Sequence, residues 1–306
     1  MASTASGAKK LGFDGDSSRA LLDVACKTVG LDSGGAELLR LGANALYRLS
    51  DAPVTVRIGR SRLAARKEIR VARWLASHDF PAVRLAENLA QPISIGDVAI
   101  TFWWFVEASP DPITAQELAW TLRELHRLPA PTDFQLPSFD PMSKVERRLD
   151  AVPTNIVPPA DIDFLRKRRQ QLVADFEALH YTLPFGPVHG DAHTDNLIRS
   201  ADAADVKLLD FEDFSWGPRE WDVSVLAVRY QAFGWASPIE YADYVATYGF
   251  DPLNWPGFPV FRAIRELNMT AWLMEKLGES PEVTAEVRRR VADLRDDQSP
   301  RRWRIF

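Results

Sequence analysis

The chain has 306 residues, of which 46% are hydrophobic and 26% are charged, with a net charge of −5, as is typical of a soluble globular protein with a substantial core. Cys26 is the only cysteine, which excludes an intrachain disulfide and a cysteine-based metal site. Residues 1–10 lack the apolar run of a signal peptide, and the longest apolar stretch, 98–106, is too short to span a bilayer. We therefore expect a cytoplasmic protein that has no membrane partner.

The charge is distributed unevenly along the chain. Residues 1–106 contain 14 Lys and Arg against 10 Asp and Glu, whereas residues 107–306 contain 23 against 32. The acidic balance argues against a nucleic-acid partner. A basic first part suits a polyphosphate and an acidic second part suits a cationic or neutral small molecule, although chance variation between solvated surfaces would give the same difference.

Residues 1–106 have the pattern of a small sheet flanked by helices. Apolar residues at helical spacing alternate with β-branched stretches that are bounded by turn signals. The predicted elements are a helix over 17–30, strands over 38–41 and 46–49 around a turn at 42–44, a strand over 54–58, a helix over 62–77 and a strand over 98–106.

Residues 107–306 are predicted to be mostly helical. Thr114 and Glu117 have the spacing of a capping box, which predicts a helix from there to Leu128, and residues 129–160 are proline-rich and irregular. Further helices are predicted over 143–151, 161–180, 220–233, 238–248, 260–277 and 281–294, with a short buried strand over 206–209. The fold class that we predict is α+β, with a small, mainly antiparallel sheet lobe over 1–106 and a larger helical lobe over 107–306.

Three polar residues have the spacing of a phosphoryl-transfer site. Asp191 is followed five residues later by Asn196, and Asp210 follows after a short hairpin. In such a site the first Asp orients the acceptor hydroxyl and accepts its proton, while the Asn and the second Asp bind Mg²⁺. We predict these roles for Asp191, Asn196 and Asp210, with the strand before Asp210 fixing its position.

At these motifs the chain resembles the aminoglycoside phosphotransferase and choline kinase family, which has a protein-kinase-like fold. That family has His-Gly-Asp-x-His-x-x-Asn, as at 189–196, and Asp-Phe/Trp-Glu, as at 210–212. The resemblance extends from about Leu39 to about Val228. It implies a bilobal enzyme that uses Mg²⁺ and ATP or GTP to phosphorylate a hydroxyl of a small molecule.

The resemblance also implies a nucleotide site. Arg57 and Glu68 occupy the positions of the phosphate-binding basic residue, often Lys in the family, and its helix partner; Arg60 or Lys67 could substitute for Arg57. Asn44 lies in a glycine-poor loop that would cover the phosphates. Trp104 and Val106 occupy the hinge, where backbone groups would pair with the adenine edge. The alternatives are an exposed strand residue at 57 and an ordinary aromatic core at the hinge.

The resemblance further implies that four residues support the site: His189 and His193 brace the loop, Asp222 holds it from below, and Glu212 assists the metal. The two histidines could instead indicate a metal-dependent hydrolase. Such a site would need further ligands, and the remaining histidines at 78, 126 and 180 form no cluster in the sequence.

The substrate class is limited by the short distance between two motifs. Asp222 follows Asp210 by twelve positions, and there is no Ala-Pro-Glu, so no activation loop exists to hold a peptide. We therefore expect a small acceptor, walled by the insertion 129–188. A nucleotide-binding pseudokinase with a regulatory role is the alternative.

Acidic residues predict the charge of the acceptor. Asp191, Asp195, Asp210, Glu212 and Asp213 lie near the motifs, and Glu266 and Glu275 lie on a late helix that often lines the acceptor pocket in the family. We expect a cationic or neutral acceptor. The tail 296–306 is expected to dock on the body through Trp303 and Phe306, and contact with a partner is the alternative.

Overall fold

The structure is a computed structural model that describes residues 13–153, 155–202 and 205–306. The chain divides into two compact units. The first comprises Met1–Pro112 and Leu197–Glu212, and the second comprises Ile113–Asn196 and Asp213–Phe306. The lobe boundary at residue 106 stays a prediction, whereas the excursion of 197–212 into the first unit was not foreseen.

The described residues form helices and strands in the following order. Up to residue 112 these are α1 (Gly15–Val29), β1 (Glu37–Leu41), β2 (Ala45–Arg48), β3 (Val54–Gly59), α2 (Arg62–Ser77), β4 (Ile93–Ile95) and β5 (Val98–Trp104). Next come α3 (Ala115–Leu125), α4 (Val145–Asp150), α5 (Pro159–Glu177), β6 (Phe185–Val188), β7 (Leu197–Arg199) and β8 (Val206–Leu208). The last are β9 (Ser215–Pro218), α6 (Glu220–Gln231), α7 (Pro238–Tyr248), α8 (Phe258–Met274) and α9 (Pro281–Arg295).

The first unit is built on a five-stranded antiparallel sheet with the order β1-β2-β3-β5-β4. Along β3, Val54, Val56 and Ile58 are buried, whereas the alternate residues Thr55 and Arg57 are half-buried. Side chains alternate between the two faces of a strand, so the face that carries Arg57 is opposite the face that enters the core. The sequence correctly predicted that Arg57 lies in this strand, and its role in the site stays a prediction.

Local capping fixes the ends of the two helices in this unit. The Asp14 side chain accepts a hydrogen bond from the Ser17 amide at the start of α1, and Gly30 ends it with φ of 74°. Ser61 caps α2, which spans 62–77 as predicted. The helix predicted over 17–30 begins two residues earlier.

The hairpin β7–β8 adds to the first unit beside residues 81–83. The Leu208 amide donates to Pro81 O at 3.0 Å, and the Val83 amide donates to Leu208 O at 3.1 Å. The prediction of a buried strand over 206–209 is wrong in part, since only Leu208 is buried and the strand ends there. Val206 and Lys207 are half-buried, because β8 lies in a sheet of only two strands, in which β7 is its partner.

The second unit is mostly helical. The capping box of Thr114 and Glu117 is present at α3, although the helix ends at Leu125 instead of Leu128. Helix α8 is buried along Ile264, Leu267 and Ala271 and packs against α4, α5, α6 and α9. The predicted helices all occur, with ends displaced by up to three residues, and the α+β fold class is confirmed.

Residues 299–304, which we call the docking segment, pack against the second unit. Trp303 is 4% exposed, its ring stacks on Phe233 with centroids 5.1 Å apart, and its indole N–H donates to Asp293 Oδ2 at 2.8 Å. Arg301 forms a buried ion pair with Glu266 at 3.0 Å. Docking through Trp303 is as expected from the sequence, whereas Phe306 is 37% exposed.

None of the helices formed by the described residues combines the length and the apolar character needed to cross a membrane.

Candidate active site

The loop that carries Asp191 follows the buried end of β6, which pairs with β9. Gly190 has φ of 90°, and a Cβ atom at this position would lie 2.6 Å from Asp213 O. Only glycine fits such a left-handed position against backbone. The Gly of the motif thus lets the chain turn so that Asp191 follows directly after the buried strand.

Asp222 holds this loop from within the second unit. Its buried carboxylate accepts hydrogen bonds from the His189 amide at 2.7 Å and the Gly190 amide at 2.9 Å, and it contacts His126 Nε2 at 3.1 Å. Burial raises the pKa of Asp222, but the hydrogen bond and charge of His126, with the charge of His189, outweigh it, so the pKa is lowered. The Trp221 indole N–H donates to Gly190 O at 2.7 Å and fixes the turn further.

The Asp191 carboxylate is 55% exposed and contacts His193 Nε2 at 3.3 Å. Partial desolvation by the surrounding protein raises its pKa, but the hydrogen bond and charge of His193 and the charges of Arg265 and His189 outweigh that effect and hold the pKa below its usual range. An exposed, ionised carboxylate can accept a hydrogen bond from a hydroxyl.

Asn196 closes the same loop. Its amide nitrogen donates to the Asp191 backbone carbonyl at 2.8 Å, and its backbone N–H donates to His193 O at 3.0 Å. These bonds orient the side chain and leave Oδ1 without a hydrogen-bond partner among the described residues. A neutral amide oxygen of this kind is a ligand that Mg²⁺ accepts.

A charged cluster lies in the first unit. Arg57 contacts Glu68 at 2.5 Å and Glu212 at 3.3 Å, and the Lys67 ammonium donates to the Glu212 backbone carbonyl. Burial lowers the pKa of Arg57, but the charges of Glu68 and Asp210 and the hydrogen bond to Glu68 outweigh it and raise the pKa. Arg57 therefore remains a fixed cation paired with the helix residue predicted as its partner, and Lys67 supplies a second cation beside it.

Asp210 is one of two described non-glycine residues with a positive φ, which is 57°. The left-handed conformation is costly for most side chains and least so for Asn and Asp. The Glu212 amide contacts Asp210 Oδ1 at 3.3 Å, and the next residue, Phe211, is 1% exposed against Trp103 with ring centroids 5.8 Å apart. The buried Phe211 thus anchors a turn that leaves the second carboxylate oxygen of Asp210 available.

The hinge differs in part from the sequence-based expectation. The Trp104 amide donates to Arg84 O at 2.8 Å, so this N–H is not available to a nucleotide base. The Val106 amide has no hydrogen-bond partner among the described residues, and the Trp104 ring is 41% exposed. Asn44 is half-buried in the turn between β1 and β2, where its carbonyl accepts from the Gly42 amide at 3.0 Å.

The expectation that Glu266 and Glu275 attract the acceptor is contradicted. The buried Glu266 side chain pairs with Arg262 at 2.8 Å and Arg301 at 3.0 Å. Glu275 pairs with Arg147 and Arg148, at 3.2 Å each. Both negative charges are neutralised by arginines whose proximity cannot be read from the sequence.

The predicted site residues form one group in each unit. The group in the second unit consists of Asp191, Asn196, His189, His193 and Asp222. The group in the first unit consists of Arg57, Glu68 and Glu212, and Asp210 precedes Glu212 by two residues. Among the described residues, no group of three or more His, Cys, Asp or Glu side chains has the arrangement of a metal cluster.

Two residues near Asp191 were missed by the sequence analysis. Arg265 donates to Trp221 O at 2.9 Å, and its guanidinium lies 4.1 Å from the centre of the Trp221 ring. Burial lowers its pKa to about 10, so Arg265 stays a cation. The negative charges of Asp191 and Asp222 act on it and favour this charged form. His126 likewise reaches Asp222 across 96 positions of sequence. Neither residue belongs to a motif, so only the fold reveals it.

The profile of the phosphotransferase enzyme family matches residues 37–264. The chain belongs to this family. The family and the phosphotransferase class predicted from the motifs are confirmed. The search of curated protein sequences gives no match to the chain.

Solved structures similar to the chain have the same protein-kinase-like fold. One is an amicoumacin kinase in complex with AMP-PNP, Ca²⁺ and its ligand, with a TM-score of 0.71 and 14% identity, covering 95% of this chain and 96% of that chain. A choline/ethanolamine kinase family protein from Mesorhizobium loti has a TM-score of 0.60 and 17% identity, with coverage of 94% and 96%. A microcompartment-associated aminopropanol kinase has a TM-score of 0.66 and 18% identity, with coverage of 89% and 94%.

Proposed function

We propose that this family member transfers the γ-phosphoryl group of ATP or GTP, in the presence of Mg²⁺, to a hydroxyl group of a small molecule. The observation that carries the proposal is the Asp191 carboxylate, exposed and ionised on a loop that Asp222 holds by two backbone hydrogen bonds. A positioned carboxylate of this kind is what phosphoryl transfer requires of the protein.

In the proposed reaction the acceptor hydroxyl donates a hydrogen bond to Asp191, which orients its oxygen for attack. The hydroxyl proton moves to the carboxylate late, when the new bond to phosphorus has formed in large part. His193 and Asn196 restrict the position of Asp191 by their contacts at 3.3 Å and 2.8 Å. Asp222, His189 and Gly190 act through the loop backbone.

The first unit supplies the proposed nucleotide contacts. Arg57, oriented by Glu68, and Lys67 offer cations to the phosphates, and Asn44 lies in the turn proposed to cover them. Val106 offers a backbone N–H to the base, and the exposed Trp104 ring offers an apolar face. The AMP-PNP bound to the amicoumacin kinase favours ATP as the first nucleotide to test, with GTP in parallel.

Asn196 and Asp210 are the proposed metal ligands, each assigned by its motif. Their oxygens suit Mg²⁺, which binds one or two carboxylates together with phosphate oxygens and water. Glu212 is proposed to assist, although Arg57 and Lys67 also contact it. Bound Mg²⁺ would neutralise charge on the phosphate oxygens.

The acceptor is proposed to be cationic or neutral, because Asp191 and Asp195 are exposed on the catalytic loop. Aminoglycoside-like antibiotics, sugars and amino alcohols are the classes to test, given that similar structures include kinases named for amicoumacin, choline or ethanolamine, and aminopropanol. An antibiotic acceptor would make resistance the biological role. The need for ATP makes the cytoplasm the proposed location.

The test measures ADP release across an acceptor panel for the wild type and for Asp191→Asn. We expect turnover to fall by roughly 10²–10⁴-fold while the Kd of Mg²⁺–nucleotide, measured by calorimetry, is retained. Asp243→Asn, an exposed residue of α7, makes the same charge change elsewhere and should behave as the wild type. Equal activity in Asp191→Asn would mean that the site is misplaced. Nucleotide binding without any turnover would support the pseudokinase alternative.

A further inference from the structure

Lys144 and Asp213 form an ion pair within the second unit that the proposed mechanism does not use. The Lys144 ammonium lies 2.6 Å from Asp213 Oδ1. Lys144 immediately precedes α4, and Met142 and Val145 on either side of it are buried, which holds its main chain in place. Asp213 directly follows the Asp-Phe-Glu motif. The pair therefore joins a fixed point of the insertion 129–188 to the residue after the proposed metal loop.

Asp213 packs against the turn that carries Asp191. A Cβ atom at Gly190 would lie 2.6 Å from Asp213 O and 2.8 Å from Asp213 Cβ, so the two main chains are in contact. Because consecutive Cα atoms are about 3.8 Å apart, the carboxylate carbon of Asp213 lies within roughly 10 Å of the Asp191 Cα atom. Two carboxylates are thus close to the place where the phosphoryl group is proposed to be transferred.

The nearby arginines of α4 are paired elsewhere. Arg147 and Arg148 form ion pairs with Glu275, at 3.2 Å each. Among the described residues, Lys144 is therefore the cation that compensates the charge of Asp213.

The pair is partly exposed, so it contributes little to the stability of the fold. The side chain of Lys144 is 35% exposed and that of Asp213 is 39% exposed. Exposed ion pairs stabilise proteins weakly because water and salt screen them. An unpaired charge nevertheless acts on other charges over roughly a Debye length, which is about 8 Å at physiological ionic strength. The pair therefore matters more for charged molecules that approach the Asp191 loop than for folding.

We propose that Lys144 acts in the reaction through Asp213, by neutralising a carboxylate that would otherwise repel the phosphate oxygens of the nucleotide at the Asp191 loop. The inference rests on the proposed function and adds a residue of the insertion to it. Mg²⁺–ATP remains an anion overall, so an unpaired Asp213 raises the energy of bringing its γ-phosphate to the acceptor. Asp191 has to stay ionised to accept the hydroxyl proton, so the charge that the protein can compensate is that of Asp213.

Two substitutions of Lys144 test the effect of its charge. Calorimetry should give a Kd for Mg²⁺–AMP-PNP about tenfold higher in Lys144→Met and unchanged in Lys144→Arg, since one charge at about 10 Å and an effective dielectric constant of about 20 has an effect of this order. The kcat/KM for Mg²⁺–ATP should fall by a similar factor, and the loss should shrink as ionic strength rises. The KM of a cationic or neutral acceptor should not rise, because the carboxylate does not repel it.

Asp213→Asn distinguishes charge compensation from a structural tie. If Lys144 acts by its charge, Asp213→Asn alone should not raise the Kd, and the double variant Lys144→Met/Asp213→Asn should recover the Kd of the wild type, because no carboxylate remains to be neutralised. If the pair only fastens the insertion, Asp213→Asn weakens binding as much as Lys144→Met does, and the double variant does not recover. The second pattern overturns the inference.

Matched controls repeat the two charge changes at exposed positions of the second unit. Lys167→Met in α5 and Asp243→Asn in α7 should bind the nucleotide as the wild type does. The melting temperatures of all the variants should stay within about 3 °C of the wild type, as expected for a partly exposed pair.

The outcomes separate this inference from the proposed function. If Lys144→Met binds and turns over like the wild type while Asp191→Asn loses turnover, the role of Lys144 is wrong and the phosphotransferase stands. If the Kd changes as predicted but no acceptor of a broad panel is phosphorylated, the proposed function fails and the charge compensation holds for nucleotide binding alone. A wild type that does not bind Mg²⁺–AMP-PNP overturns both.

Discussion

Asp222 shows how one buried side chain can organise the loop that carries Asp191. Its two oxygens accept the amides of His189 and Gly190 and contact His126, and the side chain is fully excluded from solvent. The two backbone N–H groups only donate hydrogen bonds, so a carboxylate, which only accepts them, satisfies both. The NH2 group of an Asn side chain at this position would instead face another donor. The loop geometry thus depends on a residue that need not touch substrate.

Asp222→Asn is expected to lower the free energy of unfolding by about 3 kcal/mol or more near neutral pH, because it breaks a buried charged network. The lowered pKa of Asp222 sets the sign of the pH dependence. Its stabilising contribution is present above the unfolded-state value of about 3.9 and is lost as pH falls through the lower folded-state value. Urea titrations should therefore show the difference from the wild type shrinking below about pH 4. A constant difference would contradict this assignment.

The buried thiol of Cys26 allows a second prediction about a single residue. The thiol is fully buried in α1, and burial, followed by the charge of Asp23, raises its pKa to about 11. At about pH 8 roughly one molecule in a thousand carries the thiolate, which is the reactive form. We expect negligible labelling by a disulfide reagent in the native protein and one equivalent in denaturant. Rapid native labelling would show that α1 opens readily.

The docking segment allows a prediction about a structural element. Trp303 stacks on Phe233, accepts the Trp235 indole N–H at its carbonyl and lies 4.7 Å below the Arg290 guanidinium. Trp303→Ala should cost about 3–5 kcal/mol of stability, the usual range for a buried Trp. Thermal unfolding measures the loss, and Phe306→Ala, at an exposed position, is the control. Similar stabilities for the two variants would mean that the segment is weakly docked.

The elements that the sequence predicted best are those with local signals. Helix α2 has its predicted bounds because Ser61 caps it locally, and the Thr114 capping box is a pattern of four residues. Strands β6 and β9 were missed because Phe185–Val188 contains Gly and Pro, and the pairing spans about thirty residues. Such strands exist through a distant partner instead of their own propensity.

The residues of the site also divide into those with a local sequence signal and those that depend on distant contacts. Motif spacing predicts Asp191, Asn196 and Asp210 as site residues, and the strand pattern correctly predicted that Arg57 lies in a strand. The sequence could not show that Arg301 neutralises Glu266 or that the Trp104 amide is already used by Arg84. Contacts of this kind depend on tertiary packing across tens to hundreds of residues. Arg265 and His126 were missed for the same reason.

At the scale of the whole molecule, nucleotide binding should stabilise the fold. A ligand at 100 times its Kd adds about 2.7 kcal/mol to the free energy of unfolding. For a chain of this length we expect Mg²⁺–ATP at that concentration to raise the melting temperature by about 4 °C. Asp210→Asn, which removes a proposed metal ligand and retains a residue suited to positive φ, should reduce the shift without lowering the melting temperature of the free protein. An unchanged shift would remove Asp210 from the metal site.

The first unit is discontinuous in sequence, since residues 197–212 return to it from within the second. A fragment that ends at residue 112 would lack β8, leaving the backbone at 81–83 without its Leu208 partner, and would uncover Trp103 where Phe211 packs. A single crossover after residue 112 between family members would therefore exchange residues 197–212, which belong to the first unit, together with the second unit. A clean chimera needs three junctions, after residues 112, 196 and 212, so recombination that respects the units must insert a sixteen-residue cassette as well as swap an end.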